Sequence, residues 1–521
     1  MTADEVVVYG ATPAGVIAAV AAARSGATVT VVDGAAHVGG MLASGLNTAE
    51  AEHMLPESFS GMPLEFYRRI GAAYARFGPL FHWESHVAEQ VFRDMLQEAG
   101  VRLMLGTRLG AVTKESGHIT ALELDGGPRL TGDGWIDATY EGDLMAAAGV
   151  AFRVGREARD EYDEPLAGVR FNEPDDVELD WGARTGDAPI DVAPFAPDGS
   201  LRPFFVPAVT PGAADPTTMN YHYRITLSTA PDRVPIGPPD GYDAGRFDDL
   251  SAYLQGHPDL RLEDVLDVYP HPSGRYGYRD DGRTVAHPGE KWEINNRQSA
   301  VISLGHFGGQ VGYLEGNTED RRRILEDHRR HNQGLLYFLG HDATAPLPIR
   351  TQMRRYGLPA DEYTDNGHWP YELYVREGRR MVGRYVMTQR DLQETRAKPD
   401  AIAVGSHYID SHHVQRVVAS PTSYRNEGRI WVATDRPYHI PFGAILPPAG
   451  SVENLAVPVC LSATHVAFSS IRVETTWMAL GEAAGVAAAI GVRAKVPLGR
   501  VAAADVKRGL AGTLHLGRLP R

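Results

Sequence analysis

The sequence predicts an α/β fold in three parts. A βαβ unit opens the chain, a long α+β segment is inserted, and the end returns to the first unit. Three observations carry this. Two β-branched runs flank a glycine turn and an alanine-rich stretch between Val6 and Asp33. Dense prolines, glycines and aromatics replace that regularity from about residue 155 to 440. A short strand pattern, Asn454 to Val459, and a small-residue helix, Ser469 to Ala489, then close the chain. The expected division is 1–154 and 441–521 for the two parts of the first unit, with 155–440 as the insert. A chain of 521 residues has room for this at roughly 100–200 residues per domain.

Val6-Val7-Val8-Tyr9 is short and β-branched, as a strand buried on both faces requires. Gly10 permits a tight turn, and Gly15 lets the following helix pack closely on the strand. The N–H groups at that helix start attract a pyrophosphate, so Gly10, Thr12, Pro13, Ala14 and Gly15 are candidate contacts. Thr12 stands where such turns usually carry their middle glycine. Its side chain narrows the approach, and its hydroxyl can itself donate to a phosphate oxygen. Asp33 ends the second strand, eighteen residues beyond Gly15, where a carboxylate accepts from both hydroxyls of an adenosine ribose.

Further elements follow in order. His86 to Gly100 has apolar residues at helical period, and Val101 to Leu109 reads as a strand. Residues 118–137 alternate and turn as a small antiparallel hairpin would. Trp135 to Asp143 reads as a strand feeding a helix start. In the insert, Asp320 to Leu336 is a strongly charged helix. Gly305 to Gly312 is glycine-rich, yet no acid-terminated strand follows, so it makes a poor second nucleotide site. Alanines 479, 483, 484 and 487 give the last helix a face that can pack on the first one, with its positive N-terminal end toward the cleft.

Composition excludes several classes. With 51 basic and 66 acidic side chains the net charge is −15, against a nucleic-acid or anionic-membrane partner. One cysteine, Cys460, excludes a disulfide framework, a CxxC redox pair and a multi-cysteine metal site, and fits a reducing cytosol. The start lacks a basic, cleavable leader pattern. The apolar stretch Met478 to Val492 reads as a buried helix too short to cross a bilayer. No metal is expected: His412 and His413 are adjacent, with no third ligand at helical distance.

A second glycine pair, Gly39-Gly40-Met41, follows the acidic strand end. With Ala138-Thr139-Tyr140-Glu141-Gly142-Asp143 and the run from Ser462 through Ala489, it resembles the FAD-dependent oxidoreductase family. This family has a Rossmann-like FAD-binding domain of glutathione-reductase type and is distantly similar to heterodisulfide reductase A and succinate dehydrogenase flavoproteins. Tyr374 to Gly383, Ile409 to Arg416 and Gly334 to Leu339 carry the resemblance into the insert. It implies FAD as cofactor, with Gly39, Gly40, Met41 and Ser44 near the pyrophosphate and flavin, and Leu109 against the adenine. Ala138, Thr139 and Asp143 would be a third contact, and Arg472 and Thr475 a fourth at the last helix. Two departures stand out. Phe442-Gly443-Ala444 replaces an aromatic–arginine–serine run, and Pro458-Val459 replaces a glycine and a polar residue.

The resemblance also implies hydride transfer to flavin N5 while a base removes a proton. His412, His413 and His465 are the candidate bases. Arg472, read as the start of the last helix, suits the negative charge that builds at N1–C2=O. Arg380 and Arg416 suit either a substrate carboxylate or an ion pair within the fold, the ion pair being favoured. Cys460 reads as an inert thiol rather than a flavin thioether. Lacking a second nucleotide unit, the chain is expected to take electrons from a polar small molecule, a sugar-like alcohol or an amine. It would pass them to dioxygen, a quinone or a redox partner. A flavin monooxygenase and a flavin-carrying electron-transfer subunit are the alternatives; the sequence leaves the oligomeric state open.

Overall fold

The computed structural model describes residues 5–172, 187–270, 291–296, 301–394, 397–434 and 436–510. Strand β1 (Glu5–Tyr9) leads through the glycine turn into helix α1 (Pro13–Arg24) and strand β2 (Thr28–Val32). Thr12 caps α1 and Pro13 occupies its first position, where a missing N–H costs nothing. Helices α2 (Gly61–Ala73) and α3 (Ser85–Glu98) follow, α3 burying Ala88, Val91, Phe92, Met95 and Leu96. Strand β3 (Arg102–Met104) ends sooner than predicted, because Gly106 turns the chain at φ +68. Leu109 therefore opens a new strand. The predicted hairpin is formed by β5 (His118–Leu124) and β6 (Arg129–Thr131), and β4 (Leu109–Glu115) extends it to a three-stranded meander. Strand β7 (Gly134–Asp137) then leads to helix α4 (Asp143–Ala147).

The segment that sequence assigns to the insert is built of small sheets and helices. Just before it comes β8 (Phe152–Arg153); within it, in chain order, are β9 (Phe205–Val206), β10 (Ile225–Ser228), α5 (Asp248–Gly256), β11 (Leu266–Pro270) and β12 (Lys291–Asn296). Helix α6 (Thr318–His341) extends the predicted charged helix at both ends. Its cap, Asn317, accepts from the N–H groups of Glu319 and Asp320. Then come α7 (Leu347–Met353), β13 (Arg380–Met381), α8 (Gln389–Gln393), β14 (Ala401–Gly405), β15 (Ile409–Ser411), β16 (Gln415–Ser420), β17 (Ser423–Glu427), β18 (Ile430–Val432) and β19 (Tyr438–Pro441). The expected boundary at 440/441 falls inside β19, which pairs with β14. Residues 301–317, with the glycine-rich run, form turns and a single bridge rather than a strand–helix unit.

Strand β20 (Leu455–Ala456) and helices α9 (His465–Ile471), α10 (Glu474–Ala494) and α11 (Ala503–Gly509) close the chain. The central sheet is parallel, in the order β20-β7-β1-β2-β3. The carboxyl ends of β1, β2 and β7 thereby bring Gly10, Asp33 and Ala138 to one edge, where such sheets bind ligands. Helix α10 lies along α1. The closest approach is made by two glycines rather than the alanines: a Cβ at Gly481 or Gly485 would collide with the carbonyl oxygen of Ala14 or Ala18.

At 21 residues α10 is longer than predicted, and its length and composition alone would match a membrane span; 94% of its apolar window is buried in the protein, as for a core helix. One contiguous apolar core joins the ends of the chain to the middle, with Val6, Ile17 and Trp477 in the same cluster as Leu266 and Leu335.

Candidate active site

At the edge of the sheet, Gly10 has φ +107, and a Cβ there would sit 2.7 Å from the backbone of Ala138 and Thr139. Only glycine lets this turn close on β7. The Thr12 hydroxyl accepts from Gly15 N–H at 3.2 Å and donates to the Ala138 carbonyl at 2.7 Å. It points into the protein, which corrects the expectation that it donates to a phosphate. Asp33 accepts from the N–H groups of Ala11 (2.5 Å) and Ala35 (2.7 Å). Burial holds its carboxyl above the ordinary range, with those amides and Arg108 pulling it back. Leu109 is not at a strand end; its N–H donates to Tyr9 Oη at 3.0 Å.

The second glycine pair is as constrained. Gly39 and Gly40 have φ +97 and +45, and a Cβ on Gly39 would sit 2.6 Å from the Phe92 ring. Met41 N–H donates to Tyr140 Oη at 3.0 Å, and that hydroxyl donates to Glu474 Oε1 at 2.5 Å. Glu372 N–H donates to Ser44 Oγ at 2.7 Å, and Gly45 presses on the Arg224 carbonyl. The loop therefore touches both the last helix and the middle of the chain. Thr139 donates from its hydroxyl to Asp137 at 2.7 Å. Asp143 is held by Arg321 at 2.6 Å and Arg379 at 2.8 Å, while the Thr475 hydroxyl meets Tyr67 Oη at 2.5 Å. Burial pushes Glu372 up to about 8, helped by Asp33 and Glu141, and Glu141 up to about 7, helped by Asp143. The Cys460 thiol donates to the Tyr140 carbonyl at 3.3 Å, and burial raises it well above the usual thiol range, as an inert group.

The expected catalytic groups are brought together but are largely committed to one another. Arg472 is not at the start of the last helix. It caps the end of α9, and extended Val473 separates it from α10, whose first residue is Glu474. Its guanidinium donates to the Asp410 carboxylate at 2.8 Å and to Tyr374 Oη at 2.9 Å. His412 lies 3.5 Å from the same carboxylate, and burial, with Arg376 next, pushes it down to about 3. It is neutral at pH 7 and a weak base, not one poised near neutrality. His465 uses both nitrogens within the protein, Nδ1 with Glu377 at 2.9 Å and Nε2 with Ser411 Oγ at 3.1 Å. His413 pairs with Asp187 at 2.7 Å. Arg380 forms ion pairs with Glu157 (2.6 Å) and Glu377 (3.1 Å), as favoured. Arg416 instead sits over aromatic rings, 4.6 Å from that of Phe307.

Sequence reasoning missed His222. It is fully buried, and its Nδ1 lies 2.6 Å from the Tyr223 carbonyl, which can only accept. Nδ1 therefore carries the proton and Nε2 the lone pair. Among the described residues that Nε2 has no hydrogen-bond partner. Burial, then the charge of Arg376, holds the imidazole well below its ordinary pKa, so it is neutral. The ring is 6.3 Å from that of Tyr374, the hydroxyl partner of Arg472. Glu84, His86 and Glu362 also converge, but Lys291 places its ammonium among them, 2.6 Å from Glu84 and 3.0 Å from Glu362.

A parallel sheet with a glycine turn at β1, an acid at β2 and a glycine-seamed helix pair defines a dinucleotide-binding flavoprotein class. The bare backbone at Gly10 and the carboxylate of Asp33 fit the ADP half of FAD. A family model described as FAD dependent oxidoreductase matches residues 5–510. The chain belongs to that family. No curated protein matches it. Among solved structures, an aromatic hydroxylase from angucycline biosynthesis, CabE, is 19% identical, with 30% of this chain and 35% of that chain covered, at a TM-score of 0.24. L-proline dehydrogenase from P. horikoshii is 14% identical over 30% of this chain and 58% of that one, at a TM-score of 0.23. OxyS anhydrotetracycline hydroxylase from Streptomyces rimosus is 14% identical over 32% and 39%, also at 0.23. The matches span between about a third and three fifths of these chains, and scores this low carry no argument about function.

Proposed function

We propose that this enzyme oxidises a polar small molecule, a sugar-like alcohol or an amine, with dioxygen, a quinone or a redox partner taking the electrons onward. When bound, FAD supplies the hydride acceptor, its N5. The Gly10–Gly15 turn and Asp33 would hold the ADP half, and the Gly39–Ser44 loop, the Ala138–Thr139 strand end and the start of α10 the flavin half. The observation that carries the reading is His222 Nε2, a buried lone pair without a partner beside Arg376, Arg224 and Tyr374. Its lone pair accepts a hydrogen bond from the substrate hydroxyl or amine and holds that group in position. Arg472, Asp410 and His412 act as positioning residues that keep this wall rigid, and the His465–Glu377 pair braces it through Ser411.

The test is anaerobic bleaching of the flavin absorbance by a panel of alcohols and amines. Bleaching by at least one of them, and none by NADPH alone, is expected. Bleaching by NADPH without any panel member would overturn the reading in favour of a monooxygenase.

A further inference from the structure

The first turn of α10 holds three buried polar side-chain atoms with no hydrogen-bond partner among the described residues: Glu474 Oε2, Thr476 Oγ1 and Trp477 Nε1. Their residues are 5%, 1% and 1% exposed. An unpaired polar atom is costly in the interior, and Glu474 Oε2, on the side of α10 that meets Tyr140, is the one that marks a ligand's place. The ligand is already known by class, since Met41 of the second glycine pair reaches the same point through Tyr140.

The group heading this helix is an acid, where sequence predicted a cation. Arg472 is turned away to Asp410 and Tyr374. Glu474 Oε1 accepts a hydrogen bond from the Tyr140 hydroxyl at 2.5 Å, which leaves Oε2 as the free edge of the carboxyl.

We propose that Glu474 keeps its proton on Oε2 and donates it as a hydrogen bond to the isoalloxazine ring of FAD, with Tyr140 fixing the orientation of the carboxyl. A neutral donor there favours the reduced, electron-rich ring without bringing a buried charge of its own. Burial raises Glu474 to about 8, and the Tyr140 hydrogen bond pulls it back. The titratable groups facing it are Tyr140 and, from α2, Tyr67, both raised by burial and neutral across the working range. This goes beyond the substrate reading and is independent of it, because its test needs no substrate.

The experiment is a pH titration from 6 to 10 of the FAD-loaded protein, followed by flavin absorbance and fluorescence. Wild type should show a spectral transition with its midpoint near 8. Glu474→Gln keeps a donor of the same shape and should abolish the transition. Tyr140→Phe removes the hydrogen bond that lowers the acid and should move the midpoint upward. A wild type without a transition, a Glu474→Gln variant that retains it, or a Tyr140→Phe midpoint that does not move would each overturn the proposal.

Discussion

The sheet edge and the buried wall around His222 handle polar groups in opposite ways. At the sheet edge the first polar groups close on nearby backbone: Thr12 on Gly15 and Ala138, Asp33 on Ala11 and Ala35. In the wall, charges and imidazoles pair across the chain, as Arg472 does with Asp410 and His465 with Glu377. The first arrangement is set by backbone geometry and tolerates no Cβ. The second depends on matched charges in a dry interior, where loss of one partner strands the other.

This contrast can be broken from either side. The largest stability effect is expected at Glu427, whose carboxylate meets Arg156 at 2.7 Å with both side chains buried. Glu427→Leu removes the nearer carboxylate and leaves the buried guanidinium only that of Asp215, at 3.5 Å, which should cost about 3 kcal/mol in urea denaturation. A loss below 1 kcal/mol would mean that the middle of the chain does not depend on charge matching. At the helix seam, Gly485→Ala drives a methyl into the Ala18 carbonyl and should cost about 1–3 kcal/mol. A neutral result there would show that α1 and α10 can move apart.

The smallest effect is set by pH, and its sign differs between the two regions. His306, His328 and His331 adjoin one another in the middle of the chain, and burial lowers all three, His328 to about 3. The unfolded chain binds their protons first, so this contribution is complete above pH 6.5 and is lost as pH falls from there toward 3. Between pH 7 and 6 the loss is roughly 0.7 kcal/mol per histidine. The cleft carboxyls do the reverse. Glu141, Glu372 and Glu474 are raised to about 7, 8 and 8, so their contribution is complete below pH 4.5 and is lost as pH rises toward 8. Thermal melts of the apoprotein should show both limbs. His328→Asn should flatten the acid limb and Glu474→Gln the alkaline one; a flattening of the opposite limb would refute the assignment.

The same contrast explains what the sequence revealed. Gly10, Gly15 and Asp33 were legible because the turn, the close packing and the acid are local demands that only certain residues meet. The helix break at Val473 was not, since the run from Ser469 to Ala489 holds no proline and nothing else that marks a stop at that position. There the chain is interrupted where Arg472 reaches back to Asp410, sixty-two positions earlier. Leu109 was misplaced because nothing but Gly106 marks the turn inside an otherwise strand-like run. His222 was hidden for a different reason. Its role depends on which nitrogen the Tyr223 carbonyl engages and on arginines brought in from distant segments, neither of which a linear pattern records.

The central claim is that His222 Nε2 accepts a hydrogen bond from the substrate and positions it while FAD stays where the sheet edge and α10 hold it. The direct measurement is the rate of anaerobic flavin bleaching, by the best substrate of the panel, in wild type and His222→Gln. The account predicts a fall of about 10²-fold with FAD content and resting spectrum unchanged. Equal rates in the two proteins would contradict it.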